Sequence, residues 1–301
     1  MSPRRPLPLD FSLAPFTTHD ARARGLTVKR LRGSDLVIPV RGVRLPRAEE
    51  TSLMARCHAL QLHMTHGEWA FSHVTAAALW GLPLPRRLES SKTLHLTVWG
   101  GKYPPRVWNV VGHRTVEAPP TRQPRALPLV AASDAWCQLS TVLSELELIQ
   151  AGDRLLGRPA PLAAVDEIDE AIERYGKRRG CRGLRAAREH LDVGSESPKE
   201  TELRLRVIEA GFPEPESNGV ITLRSGRSTR GDLVFRHWKV LLEYDGDHHR
   251  EDDGQWAKDV DRLNELAGNG WLVIRVNRHS DFEVIVRQLS DARELRGWTR
   301  P

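Results

Sequence analysis

The sequence predicts a multidomain chain of mixed α+β, α/β class, and three observations carry that expectation. Its 301 residues exceed what one small core organises. Helical and extended segments follow one another along the whole length. A Ser/Gly/Pro-containing stretch, VGSESP at 193–198, sets off a regular C-terminal third. The expected division is a small basic domain at 1–50, a mixed, mostly helical middle region at 51–192 with a small sheet near 94–116, and a C-terminal αβββαβ domain at 193–301. Hydrophobic residues make up 40% and charged ones 28% of the chain, and no run reaches the ~20 apolar residues a membrane-spanning helix needs. The start, MSPRRPLPLDFSLAPF, lacks the apolar core of a secretory signal, so the expected location is the cytoplasm.

In the first segment Thr17 or Thr18 caps a short helix, DARARG ends on a glycine suited to a C-cap, and a second short helix follows from Thr27. Two extended pieces, 36–39 and 43–45, close a small hairpin at Arg41-Gly42. Helix, turn, helix and basic hairpin form the outline of a winged helix, whose second helix would bring Lys29, Arg30 and Arg32 to a DNA groove. A basic subdomain packed on the rest of the chain is the plainer alternative. A net charge of +6 with 45 Lys and Arg favours a polyanionic partner without proving one.

The middle region reads as helices over 51–64 and 72–80, with Ser72 as N-cap and Gly81 to Pro85 as the stop. LHLTVWG and VWNVVGHRTV alternate in the strand period and supply the small sheet. A helical stretch over 126–156 and a charged helix pair at 161–191 come next; the arginines of 174–190 fit either a phosphate-facing surface or a solvated helix face. Cys57, Cys137 and Cys181 are far apart and lack CxxC spacing, so reduced structural cysteines are expected.

From Ser197 the signals become regular. SPKETELRLRVIEAG is a helix with Ser197 as N-cap, Pro198 in its first turn and Gly211 at its end. GVITL, GDLVF and KVLLEY are strands, QWAKDVDRLNELAGNG a helix and WLVIRV a strand. Asp232 opens the second strand and Glu243 ends the third, with RHWK as the turn between them, so an antiparallel hairpin brings the two carboxylates near one another. Period-2 alternation adds Asp245 to the Glu243 face. Clustered carboxylates repel and are normally relieved by a cation or by protonation, and oxygen-only ligands favour Mg²⁺ or Mn²⁺. An exposed acidic turn at EYDGDHH is the competing reading.

The strings SPKET, GDLVF, VLLEYDGDHH, DVDRLNEL and GWLVIRV, over roughly residues 197–277, resemble the domain-of-unknown-function nucleases related to very-short-patch-repair (Vsr-like) endonucleases, within the PD-(D/E)XK superfamily. The N-terminal segment looks, more loosely, like the winged-helix antitoxin domain of AbiEi type. The resemblance implies a restriction-endonuclease-like fold, with Glu200 as the acid on the first helix, Asp232 and Glu243 as the metal pair, Asp245 as accessory carboxylate and His249 as the histidine after DG, beside His248. Asp259 and Arg262 fit the helix motif D..R, for phosphate or for an ion pair. The superfamily's lysine would fall at Asp245; His249 or Lys258 would have to replace it.

These expectations imply a metal-dependent DNA endonuclease. The alternative is a DNA-binding regulator or antitoxin whose nuclease-like domain is inactive and serves packing or homodimerisation. The partner is DNA; a toxin or repair partner is not identified by the residues. A zinc site built on His248 and His249 is disfavoured, because neighbours on a strand point to opposite faces.

Overall fold

The computed structural model describes residues 6–64, 67–245 and 253–296. The chain is a mixed α+β protein with three sheets, and it divides into two compact units: Met1–Val142 with Ile168–Cys181, and Leu143–Glu167 with Arg182–Pro301. Among the described residues no helix is long and apolar enough to cross a membrane.

The first unit contains a three-stranded antiparallel sheet and a five-stranded one. Thr17 caps the helix Thr18–Ala23 by accepting the Asp20 N–H at 3.0 Å. The expected second helix shortens to a single turn, Arg30–Arg32, before the strands Leu36–Val37 and Val43–Pro46. The turn stops at Gly33, where the backbone is already extended at φ −63° and ψ 145°. The segment expected to stand alone at 1–50 shares a core with the next part of the chain, since Val40 and Val43 bury against Ala59 of the helix Leu53–His63.

The five-stranded sheet runs in the spatial order Val110–Arg114, Leu94–Val98, Trp69–Phe71, Leu129–Val130, Thr121–Arg122. Its first two strands are parallel, with Leu94 beside Val110. The helix expected over 126–156 is broken up. Leu129–Val130 is a strand, because the Pro128 carbonyl accepts the Phe71 N–H at 2.8 Å and draws this stretch into the sheet, and helices come after it at Ala132–Gln138 and Glu145–Leu156. Gly81, at φ +74°, ends the helix His73–Trp80 in the left-handed conformation, as expected. Arg174 pairs with Asp134 at 2.9 Å, tying residues 168–181 to this unit.

The second unit begins with α1 (Glu145–Leu156), whose Ser144 and Glu147 form a reciprocal capping box. After α2 (Pro198–Glu209) come β1 (Glu216–Thr222), β2 (Ser228–Phe235), β3 (Val240–Tyr244), α3 (Asp253–Gly268), β4 (Leu272–Val276) and α4 (Phe282–Leu295). The order from α2 to β4 is therefore the αβββαβ read from sequence. Spatially the sheet runs β4-β3-β2-β1, antiparallel across β1, β2 and β3 and parallel between β3 and β4, the pairing that the crossover through α3 permits. On one face Leu233, Val240, Leu242, Ile274 and Val276 pack with Leu203 and Val207 of α2 and Ile285 and Leu289 of α4. On the other, Ile221, Val234 and Leu241 pack with Leu266 of α3.

α1 and α2 are joined by a buried charged network that the sequence did not signal. Arg204, 1% exposed, reaches Asp153 at 3.4 Å, donates to the His190 carbonyl at 2.6 Å and to Glu214 at 3.1 Å. Asp153 also accepts from the Thr201 hydroxyl at 2.7 Å and the Asp192 N–H at 2.8 Å. Burial pushes the Asp153 carboxyl up to about 6 against the pull of these donors and of Arg204.

Candidate functional site

The second sheet places its chemistry where β3 and β4 end. Leu233 of β2 stands opposite Leu242 of β3, so one step further along the antiparallel hairpin Asp232 faces Glu243. Glu243 in turn stands beside Arg275 of β4. Asp232 is thus the fifth residue of its strand rather than its first, with Glu243 near the end of the next, and the hairpin brings them together as expected. They lie on the face covered by α3, whose residues Asp259, Arg262 and Leu263 complete a cleft of about 220 Å³ with Asp232, Glu243, Tyr244, Asp245 and Arg275.

Each group in the cleft is held. The Asp232 Oδ2 accepts the Tyr244 N–H at 2.7 Å. Burial nevertheless raises this carboxyl to about 6, helped by the negative charges of Glu200 and Glu243; the Tyr244 N–H and Arg262 pull it back in part. Arg262 donates Nε to the Thr229 hydroxyl at 2.6 Å and Nη2 to both the Arg230 carbonyl and Glu243. Burial opposes its charge, but the Glu243 hydrogen bond and the charges of Glu243, Asp232 and Asp259 outweigh it, and the guanidinium lies above its ordinary range. Arg262 therefore closes an ion pair with Glu243. Asp245, whose N–H meets the Val276 carbonyl at 2.6 Å, pairs with Arg275 at 2.8 Å.

Glu200 enters from α2. Its carboxylate accepts the Glu196 N–H at 3.0 Å and the Asn218 carboxamide at 2.8 Å, while its own N–H is capped by Ser197 at 3.2 Å. Asn218 lies in β1 between Ser217 and Gly219, which pair with Leu233 and Gly231; that places it across from Asp232, with φ at +49°, a left-handed conformation asparagine tolerates better than most residues. Its carboxamide also donates to the Gly194 carbonyl at 2.9 Å. Asn218, Thr229 and Arg275 had no assigned role in the sequence. Only Arg275 carried a signal, a charge inside the apolar run WLVIRV. His248 and His249 lie outside the described residues, and Lys258 is exposed on α3. Among the described residues no three His, Cys, Asp or Glu side chains form a group able to hold a metal ion.

In the first unit, Lys29 and Arg32 are exposed as a DNA contact requires. Arg30 is not: its guanidinium forms two hydrogen bonds to Asp35, at 2.7 and 3.0 Å, with its side chain 8% exposed. It is a structural ion pair, because the single turn folds it back on the start of the hairpin instead of projecting it outward.

A second cluster of titratable groups lies on the five-stranded sheet. The ring of His73 stacks on that of His113 at 3.5 Å, and His95 Nδ1 lies 3.1 Å from His113 Nε2. Burial, reinforced by the neighbouring imidazoles, pushes His73 down to about 3 and His113 to about 4, and burial lowers His95. Folded-state values below the ordinary 6.5 mean that the unfolded chain takes up the protons first. The stability held by the neutral trio is therefore full above pH 6.5 and lost as pH falls toward 4. Thermal unfolding followed from pH 7.5 to 4 should show a loss on the order of 2–4 kcal/mol in the first unit, reduced by His113→Asn. An identical acid dependence in that variant would contradict the assignment.

Over 243 residues the chain is 29% identical to two uncharacterized proteins of Mycobacterium tuberculosis, MT2308 of strain CDC 1551 / Oshkosh and Rv2248 of strain H37Rv, covering 76% of this chain and 81% of each relative. Neither a family model nor a solved structure matches the chain.

Proposed function

We propose that the second unit is a metal-dependent endonuclease of PD-(D/E)XK, Vsr-like type acting on DNA, with exposed basic residues of the first unit, Lys29 and Arg32 among them, adding affinity. The observation that supports it most is the pairing of Asp232 with Glu243 across the β2–β3 hairpin, within electrostatic reach of Glu200. Both side chains suit Mg²⁺ or Mn²⁺ in kind, since carboxylate oxygens are what hard dications take. A nearby cation would also relieve the mutual repulsion felt by Asp232.

Such an ion supplies Lewis-acid polarisation of a phosphate and a water of lowered pKa. Asp232 and Glu243 would hold it. Arg262 and Arg275, both lining the cleft, could meet phosphate charge, and Arg275, paired with Asp245 at 2.8 Å, is a cation beside the position where the superfamily lysine would fall. Asn218 fixes Glu200 toward the cleft. A second reading, a DNA-binding regulator with an inactive nuclease-like unit, draws on the same Asp245 and on the Arg262 pair that occupies Glu243.

The deciding measurement is Mg²⁺- or Mn²⁺-dependent cleavage of supercoiled, linear, single-stranded and mismatched DNA. Asp232→Ala and Glu243→Ala should each lower the rate at least about 100-fold while DNA binding persists. Cleavage unchanged in both variants removes the proposal. Salt-sensitive, sequence-specific binding with no cleavage of any substrate selects the regulator.

A further inference from the structure

The end of the second sheet carries another groove beside the carboxylate cleft. It encloses about 130 Å³ and is lined by Lys199, Glu202, Leu203 and Arg206 of α2, by Tyr244 and Val276 at the strand ends, and by Asn277, Arg278, Ser280, Phe282 and Ile285 in the turn before α4 and its first residues. Tyr244 lines both this groove and the carboxylate cleft, one on each face of the sheet. Helix geometry accounts for the separation of charge: Lys199 and Arg206 lie three or four residues from Glu202 and Leu203 along one side of α2, and Glu200 leaves that stripe for the Asp232 side.

The lining holds three cations, Lys199, Arg206 and Arg278, against one carboxylate, Glu202, which takes the Lys199 ammonium at 2.8 Å. The Arg206 guanidinium lies over Phe282, 4.0 Å from its ring centre. A cation seated on an aromatic face stays in place while its N–H edge remains available to an anion. Asn277 and Ser280 bring further polar groups to the same groove.

Resting on the reading that the cleft acts on DNA, we infer that this groove holds the substrate strand next to the scissile phosphate, its phosphodiesters drawn by Lys199, Arg206 and Arg278, with the strand passing over Tyr244 into the cleft. A continuous strand explains why a cationic groove and a carboxylate cleft share one wall. The carboxylates repel the backbone they act on, so the affinity has to come from beside them. Arg262 and Arg275 are paired with Glu243 and Asp245, whereas the lining of the adjoining groove carries more cations than carboxylates.

The test compares the full-length protein with Lys199→Gln/Arg206→Gln, and with a matched pair of exposed cations outside both the groove and the cleft, Lys239→Gln/Arg287→Gln. Binding of a fluorescein-labelled duplex and of its single strand is measured by anisotropy in EDTA over a salt series. The groove variant should bind about 5- to 30-fold more weakly, and its log–log salt slope should be shallower by between about one and two, since each backbone phosphate contact contributes roughly 0.9 to the slope. The matched pair should leave both unchanged. Equal losses in the two pairs, an unchanged groove variant, or a wild type that binds no DNA would each overturn the inference. So would competition by inorganic phosphate at concentrations comparable with those of DNA phosphate, the mark of a free-anion site.

Mg²⁺-dependent cleavage by the same proteins separates this idea from the one beneath it. Loss of binding in the groove variant, with no cleavage even by wild type, keeps the strand groove and removes the nuclease reading. Cleavage that keeps the same dependence on DNA concentration in the groove variant removes the groove.

Discussion

Replacing Arg204 by alanine should destabilise the second unit by roughly 3–5 kcal/mol, because it strands a buried carboxylate. Asp153 is 2% exposed, and its charge is tolerated through the Asp192 N–H, the Thr201 hydroxyl and the Arg204 guanidinium. With the guanidinium gone, the carboxyl must rise further above its already elevated value or remain charged without its cation. An acid whose folded pKa exceeds its unfolded one binds more protons folded, so stability falls as pH rises through the interval between them. Arg204→Ala should therefore be weakest at neutral and alkaline pH and recover part of its loss near pH 4. Replacing both partners by apolar residues of closer bulk, Arg204→Met with Asp153→Leu, should recover part of the loss, since such a pair is often no worse than a buried ion pair. Urea unfolding of wild type, single and double variants at two pH values measures this. A double variant as unstable as the single one would show that Arg204 acts by packing alone.

Asp232→Asn should do the reverse, raising stability by about 1–2 kcal/mol at pH 7.5 while abolishing the proposed chemistry. The carboxyl stands at about 6 because burial and the charges of Glu200 and Glu243 penalise its ionised form. Above that pH the folded unit carries this cost; below the ordinary 3.8 of an aspartate it carries none. An asparagine oxygen can still accept the Tyr244 N–H, so the local geometry survives. The gain should vanish near pH 4. A variant less stable than wild type at pH 7.5 would mean that Asp232 is a structural acceptor and not a strained functional acid.

The contrast between these two aspartates shows what was legible in the sequence. Asp232 was, because it belongs to an extended run and is matched by Glu243 after VLL, and the hairpin converts that spacing into proximity. Asp153 was not: it sits inside an amphipathic helix, and its partner is 51 positions away on another helix, reachable only after packing. The αβββαβ order was legible because each strand is bounded by glycine, proline or charge. Asn218 was hidden for a different reason, since a left-handed residue inside a strand leaves no trace in alternation. The shortened helix at Arg30 was missed because propensity favoured continuing it, whereas the backbone turns extended at Gly33 and Arg30 reaches back to Asp35.

The interleaving of the two units has a practical consequence for cutting the protein apart. Residues 143–167 belong with 182–301, yet 168–181 belong with the first unit, so the chain crosses between units three times. A fragment beginning at 193, where composition suggests a natural boundary, would carry the sheet, Asp232 and Glu243 but leave α1 and Asp153 behind. Arg204 would then keep its position without its innermost counterion, and its helix is the one that presents Glu200. Dissecting this protein into autonomous pieces therefore calls for deleting or grafting an internal segment, not for choosing a single point of scission.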